Sequence, residues 1–113
     1  MYAVIFEFRV NAGQDDAYFG WAERLRARLD AVDGFQSIER FRSLGTDDKY
    51  VSISYWRDEA SWKAWRADPV HAKAQAEGKA RVFAEFRLRT AKVVHEVTLD
   101  QAGERAERDE RAL

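Results

Sequence analysis

Cysteine is absent from the 113 residues, so a disulfide framework, a thiolate nucleophile and any thiolate-bound zinc or iron–sulfur centre are excluded together. Charge of one sign is lacking too. Nineteen basic residues face 20 acidic ones, for a formal net charge of -1 and a pI near 6.1. No broad field therefore draws the chain to nucleic acid or to an anionic membrane surface, and neither is expected as a partner. Long apolar runs are missing as well. The start, Met1-Tyr2-Ala3-Val4-Ile5-Phe6, is broken by Glu7 and Arg9, so it has no signal-peptide core, and no stretch suits a membrane span. The expected compartment is the cytoplasm. There is no glycine-rich phosphate loop, no HExxH and no cluster of Asp, Glu and His at ligand spacing, so no metal is expected.

What is present reads as one domain of alternating strands and helices. Tyr2, Val4, Phe6, Phe8 and Val10 are apolar at a period of two, which predicts a strand with one strongly apolar face. Asn11-Ala12-Gly13 make a turn, and Asp15 and Asp16 suit a helix N-terminus. Tyr18, Trp21, Ala22, Leu25, Leu29 and Val32 then step by three or four, one buried stripe of a helix that Gly34 ends. Phe35–Leu44 and Lys49–Trp56 carry β-branched and aromatic residues around a short connection, as antiparallel neighbours do. Asp58 caps a short helix bearing Trp62 and Trp65. Asp68-Pro69 starts another that runs to about Phe83. Phe86–Leu99 reads as a last strand, and the charged segment 100–113 reads as a mobile tail, or an arm that orders on a partner. The order β-α-β-β-α-β is the ferredoxin-like α+β arrangement, a four-stranded antiparallel sheet with helices on one face, here assigned to residues 1–99.

Helices on one side leave the other sheet face open. Extending the parity of the first strand predicts that this face carries Ile5, Glu7, Arg9, Ile38, Arg40, Arg42, Ser52, Ser54 and Trp56. That mixture of apolar groups and opposite charges predicts a back-to-back homodimer, set against an ordinary solvated face.

Chemistry centres on His71, one of two histidines, in the first turn of its helix. There the positive end of the dipole favours the neutral ring, able to move a proton or to hydrogen-bond a substrate. On helical spacing His71, Ala74, Gly78 and Val82 share a stripe. Gly78 inside a helix costs about 1 kcal/mol relative to alanine, so something approaches closely there, a neighbouring element or a ligand. Phe6, Phe8, Trp21, Tyr55, Trp62, Trp65 and Phe83 are candidates to converge beneath the helices, mostly as core, with Leu25 and Val82 beside them. His95, in the last strand, reads as structural.

The run Tyr55-Trp56-Arg57-Asp58-Glu59, Ser61-Trp62, Trp65-Arg66, His71, Ala74-Gln75, Gly78 and Phe86-Arg87-Leu88-Arg89, with Phe35 and Glu39-Arg40-Phe41 upstream, resembles the antibiotic biosynthesis monooxygenase family across roughly residues 2–97. The resemblance implies a dimeric α+β barrel with a pocket between helices and sheet. It also implies cofactor-independent oxidation of a small aromatic or quinone-forming compound, in which the deprotonated substrate itself reduces oxygen. His71 would be the proton-transfer group, Trp65 a wall or hydrogen-bond donor, and Tyr55 a second polar contact, with Phe6, Phe8, Trp21, Leu25, Trp62, Gly78, Val82 and Phe83 against the substrate. Two alternatives stay open, a non-catalytic small-molecule-binding or stress-response barrel and a haem-binding or haem-degrading protein. Haem-degrading members combine a strand-one asparagine with a tryptophan and a histidine about three helical turns beyond. Strand one here has no asparagine, and the position ten after Trp65 is Gln75.

Overall fold

A computed structural model describes residues 1–110. The elements are β1 (Tyr2–Val10), α1 (Asp15–Asp30), β2 (Phe35–Arg42), β3 (Lys49–Trp56), α2 (Glu59–Arg66), α3 (Pro69–Glu77), a π-helical turn (Gly78–Val82), β4 (Phe83–Lys92), β5 (His95–Leu99) and β6 (Arg105–Asp109). The first four strands form an antiparallel sheet in the order β2-β3-β1-β4. This is the expected ferredoxin-like α+β fold.

Local chemistry sets the boundaries. Asp58 accepts from the Ser61 N–H at 2.8 Å, and Asp68 accepts from Val70 and His71 N–H at 2.9 and 3.1 Å. The two aspartates thus satisfy N–H groups that the first turns of α2 and α3 leave unpaired. Pro69 opens α3 where no N–H is needed. Gly34 has φ +91°, and a side chain there would run into Ser61 and its hydroxyl, so only glycine fits the turn from α1 into β2.

The register decides which residues face the helices. Val4 pairs with Ser54, Phe6 with Ser52 and Phe8 with Tyr50, while Ile38 pairs with Ser54 and Arg40 with Ser52. Directly paired residues share a face, so Ile38, Arg40, Arg42, Ser52, Ser54 and Trp56 lie beneath the helices. The expectation that placed these six on the open face is corrected. Ile5, Glu7 and Arg9 do lie there, joined by Glu39, Phe41, Val51, Ile53 and Tyr55. The error came from carrying one strand's parity into the next without knowing the register, which a one-residue offset inverts.

The core falls into two clusters. Val4, Leu29, Trp56, Trp62 and Trp65 form one, and Phe8, Val10, Tyr50 and Val82 the other. Trp56 and Phe8 are the most deeply buried large side chains, each contributing about 1.5–3 kcal/mol relative to exposure.

The chain end differs from expectation in two ways. The last strand is interrupted after Lys92, and the segment past Asp100, expected as a mobile tail, turns back so that β6 pairs with β5 from Leu99↔Arg105 to His95↔Asp109. The expected boundary at Asp100 falls in this hairpin's turn. There the Asp100 carboxylate accepts from Ala102 and Glu104 N–H, both at 2.9 Å, and Gly103 takes φ +82°. Polar side-chain capping of this kind makes a turn from an otherwise charged stretch. The hairpin is moored by Val93 N–H to the Met1 carbonyl at 2.9 Å and Glu110 N–H to the Val94 carbonyl at 2.8 Å. Residues 111–113 of the expected tail lie outside the described residues.

Candidate active site

A cavity of about 160 Å³ opens between the helices and the sheet, walled by members of both core clusters. Its origin is visible in the side chains around it. Ser52 and Ser54 stand on the sheet where larger groups would reach upward, and Ala22, Ala74 and Gly78 are the facing helix positions. Small residues on both sides leave a void that Phe6, Trp62, Trp65 and Phe83 border.

His71 lines this cavity, and its ring is fixed by two contacts. It stacks on Trp65 with centroids 4.3 Å apart and planes 14° from parallel. Its Nδ1 lies 3.1 Å from the Trp65 carbonyl oxygen. A carbonyl can only accept, so Nδ1 carries the proton and Nε2 is the basic atom of the neutral ring. Burial pushes the imidazole below its ordinary value of 6.5, against the opposing pull of the Trp65 carbonyl and Asp68. The ring is therefore neutral at neutral pH, with desolvation the leading cause.

On another wall Arg40 Nε donates to the Tyr18 hydroxyl at 2.8 Å. Burial raises the Tyr18 phenol, and Arg40 only partly offsets it, so Tyr18 stays protonated with its own O–H free to donate. The Trp21 indole N–H donates to Glu77 at 2.7 Å, tying α1 to α3, and Glu77 also pairs with Arg81. Gly78 has ordinary helical angles, φ -59°. Its role is clearance, since a Cβ there would stand 2.6 Å from Cε2 of Phe83. The close approach expected at Gly78 is thus the Phe83 ring. The π-helical turn delivers Val82 into the second core cluster, and its last two carbonyls are met by Asn11, whose N–H donates to Val82 O at 2.8 Å and whose side-chain amide donates to Arg81 O at 2.9 Å.

The model of the antibiotic biosynthesis monooxygenase family matches residues 1–77. The chain belongs to that family. A jasmonate monooxygenase of Pyricularia oryzae is 39% identical over 97 residues, covering 86% of this chain but 45% of that protein. The chain thus spans less than half of that relative. The uncharacterized protein YqjZ of Bacillus subtilis is 30% identical over 92 residues, 81% of this chain and 78% of its own. Among solved structures, the cofactor-independent oxygenase SnoaB of Streptomyces nogalater superposes with a TM-score of 0.70 at 17% identity, covering 81% of this chain and 91% of its own. Rv0793 of Mycobacterium tuberculosis gives 0.71 at 18%, covering 89% and 97%. At such identities the structures attest the fold.

Within this family member, the cavity brings together His71, Trp65, Phe6, Trp21, Leu25, Trp62, Gly78, Val82 and Phe83. Two expected residues stand elsewhere. Phe8 is sealed in the second core cluster, 1% exposed. Tyr55 pairs with Ala3 on the open face of the sheet, so it cannot be the second polar contact of its own chain's cavity. Polar groups that do line the cavity include Tyr18, Arg40, Ser52 and Ser54; the inverted parity of β2 and β3 had put Arg40 and the two serines on the open face. No group of three or more potential ligands for a metal ion occurs among the described residues, and no helix among them is long and apolar enough to cross a membrane.

Proposed function

We propose that the cavity binds a small aromatic or quinone-forming compound and oxidises it in a monooxygenase-type reaction without a bound cofactor. The observation that carries this is the imidazole of His71, held by Trp65 in the tautomer whose Nε2 is basic, on the wall of an apolar cavity. Nε2 accepts a proton from an acidic C–H or O–H of the substrate. The resulting carbanion or phenolate supplies electrons to dioxygen, one C–O bond forms, and loss of water from the adduct leaves a carbonyl. For a methylene carbon the balance is CH2 plus O2 to C=O plus water, with no external reductant. The apolar walls keep solvent from the intermediate, and Trp65 holds the base in place. Family membership and the relative named a jasmonate monooxygenase support oxygen chemistry, and SnoaB, described as cofactor-independent, supports doing without a cofactor. The haem reading meets a glutamine, Gln75, in the lining where a histidine would be called for.

A homodimer through the open sheet face belongs to the same proposal. Ile5, Val51, Ile53 and Tyr55 sit half-buried at its centre, Phe41 is 44% exposed beside them, and the Glu7–Arg89 pair at 3.6 Å marks its polar side. An apolar strip of this kind on a sheet is what a second copy covers.

Oxygen uptake with anthrone-type and phenolic substrates tests the reaction. His71→Ala is expected to lower the rate by about 10²–10⁴-fold. Unchanged uptake in that variant removes His71 from the mechanism.

A further inference from the structure

Three ionisable cationic side chains line the cavity, and two are accounted for. Arg26 is held by Asp30 at 3.0 Å, and His71 is kept neutral by its surroundings. Arg40 is different. It is half-buried, its Nε is committed to the Tyr18 hydroxyl, and among the described residues no carboxylate forms an ion pair with it. The next arginine on the same face of β2 shows the usual solution, since Arg42 donates to the Tyr50 hydroxyl at 3.2 Å and Tyr50 donates to Asp15 at 2.9 Å. A guanidinium drawn partly out of water without a counter-charge is costly, and an anion that enters beside it recovers that cost.

The donors around Arg40 indicate which anion. With Nε occupied, the two terminal nitrogens remain, a pair of N–H groups spaced for the two oxygens of one carboxylate. Tyr18 accepts from Arg40 and so keeps its own O–H to give. Ser52, the cross-strand partner of Arg40, presents a hydroxyl on the same wall. One uncompensated positive charge matches the single charge of a carboxylate better than the double charge of a phosphate. Apart from His71, Arg26, Gln75 and Ser54, the rest of the lining is apolar and aromatic.

We propose that Arg40, Tyr18 and Ser52 form an anion-binding end of the cavity, and that its ligand is a small monocarboxylate whose apolar body lies against Trp65 and Phe83. The proposal rests on reading the cavity as the substrate site and names the class of compound it takes.

The test uses the full chain and titrates cinnamate, phenylacetate and cyclohexylacetate, each beside its methyl ester, following the fluorescence of the cavity tryptophans with calorimetry as a check. At least one acid is expected to bind at least about tenfold more tightly than its ester. Arg40→Gln is expected to erase that preference, Arg40→Lys to keep part of it, and Tyr18→Phe to reduce it a few-fold. Arg42→Gln, a charge lost on the same strand face but outside the lining, is expected to leave the ratio unchanged. Equal or better binding of every ester overturns the proposal, as does a preference that survives Arg40→Gln. Should Arg40→Gln fail to fold, an acid-to-ester ratio in Arg40→Lys equal to the native one does the same. Oxygen uptake is recorded separately. Acid preference without uptake on any anthrone-type or phenolic substrate removes the catalytic reading and leaves the anion site, while equal turnover of a phenolic acid and its methyl ester removes the anion site and leaves catalysis.

Discussion

Replacing Gly78 by alanine puts the local packing of the cavity wall to a quantitative test. The backbone accepts alanine at φ -59°, and relief of glycine's conformational freedom favours the variant by up to about 1 kcal/mol. Against this stands the new methyl, 2.6 Å from Cε2, 3.1 Å from Cδ2 and 3.4 Å from Cζ of Phe83. Normal carbon contacts lie near 3.5–4.0 Å, so the ring must retreat by roughly 1 Å. Its retreat is restricted by Phe8 at 5.2 Å, Phe6 at 5.3 Å and Tyr18 at 6.0 Å, and the yielding direction is the cavity. Overpacking of this sort costs about 1–3 kcal/mol, leaving a net loss of about 0–2 kcal/mol and a smaller void. Because the net is a difference of opposing effects, the decisive measurement is a double-mutant cycle with Phe83→Leu in urea unfolding. The clash predicts that Gly78→Ala is milder in the Phe83→Leu background by about 1–2 kcal/mol. Additivity within about 0.5 kcal/mol would refute the reasoning, because it would mean that Phe83 does not occupy the space beside Gly78.

Other consequences are checked more simply. His71 is depressed below its unfolded value of 6.5 by burial, so its contribution to stability is complete above that pH and is lost as pH falls through 6.5 toward the folded value. His71→Gln should flatten this limb of the urea midpoint between about pH 7 and pH 5, and an unaltered pH profile contradicts the assignment. Since the neutral ring is the proposed base, turnover should rise with pH along a limb whose midpoint lies below 6.5. Ser52→Ile places a β-branched side chain in the void. It should raise or preserve the unfolding midpoint while weakening cavity ligands by about tenfold or more, and intact binding would show that ligands sit elsewhere. Ile53→Asp should convert a dimer into a species near 13.1 kDa in sedimentation. Native protein already sedimenting at that mass rules out the dimer.

Much of the fold is legible in residue chemistry because local signals agree with the tertiary result. Asp58 and Asp68-Pro69 announce helix starts through side-chain oxygens that satisfy backbone N–H groups, and β1 alternates so cleanly that its inward face is unambiguous. The stripe His71, Ala74, Gly78, Val82 also emerges as cavity lining, even though the helix gives way to a π-helical turn at Gly78. The C-terminal hairpin is harder to read. Both strands are exposed throughout; β5 falls within the strand expected over Phe86–Leu99, whereas β6, Arg-Ala-Glu-Arg-Asp, has no apolar period to mark it. The local cue is Asp100 three residues before Gly103, a turn signature inside a sequence that otherwise looks disordered.

The parity of β3 carries a deeper lesson, since the rule that apolar residues point inward chooses the wrong face. Val51, Ile53 and Tyr55 are the more apolar set, yet they face outward while Tyr50, Ser52, Ser54 and Trp56 face the helices. Two departures from simple burial coincide here. Serines beneath helices lower the packed volume, and their immediate product is the void that His71, Trp65 and Arg40 surround. Outward isoleucine and valine raise the apolar area of the open face, which a solvated single copy gains nothing from. A chain shaped only for monomer stability would exchange the two sets by a one-residue shift of register. That it does not ties the hollow and the proposed dimer together: the side chains that could have filled the cavity are spent on the sheet's other face, where a second copy is the surface able to bury them.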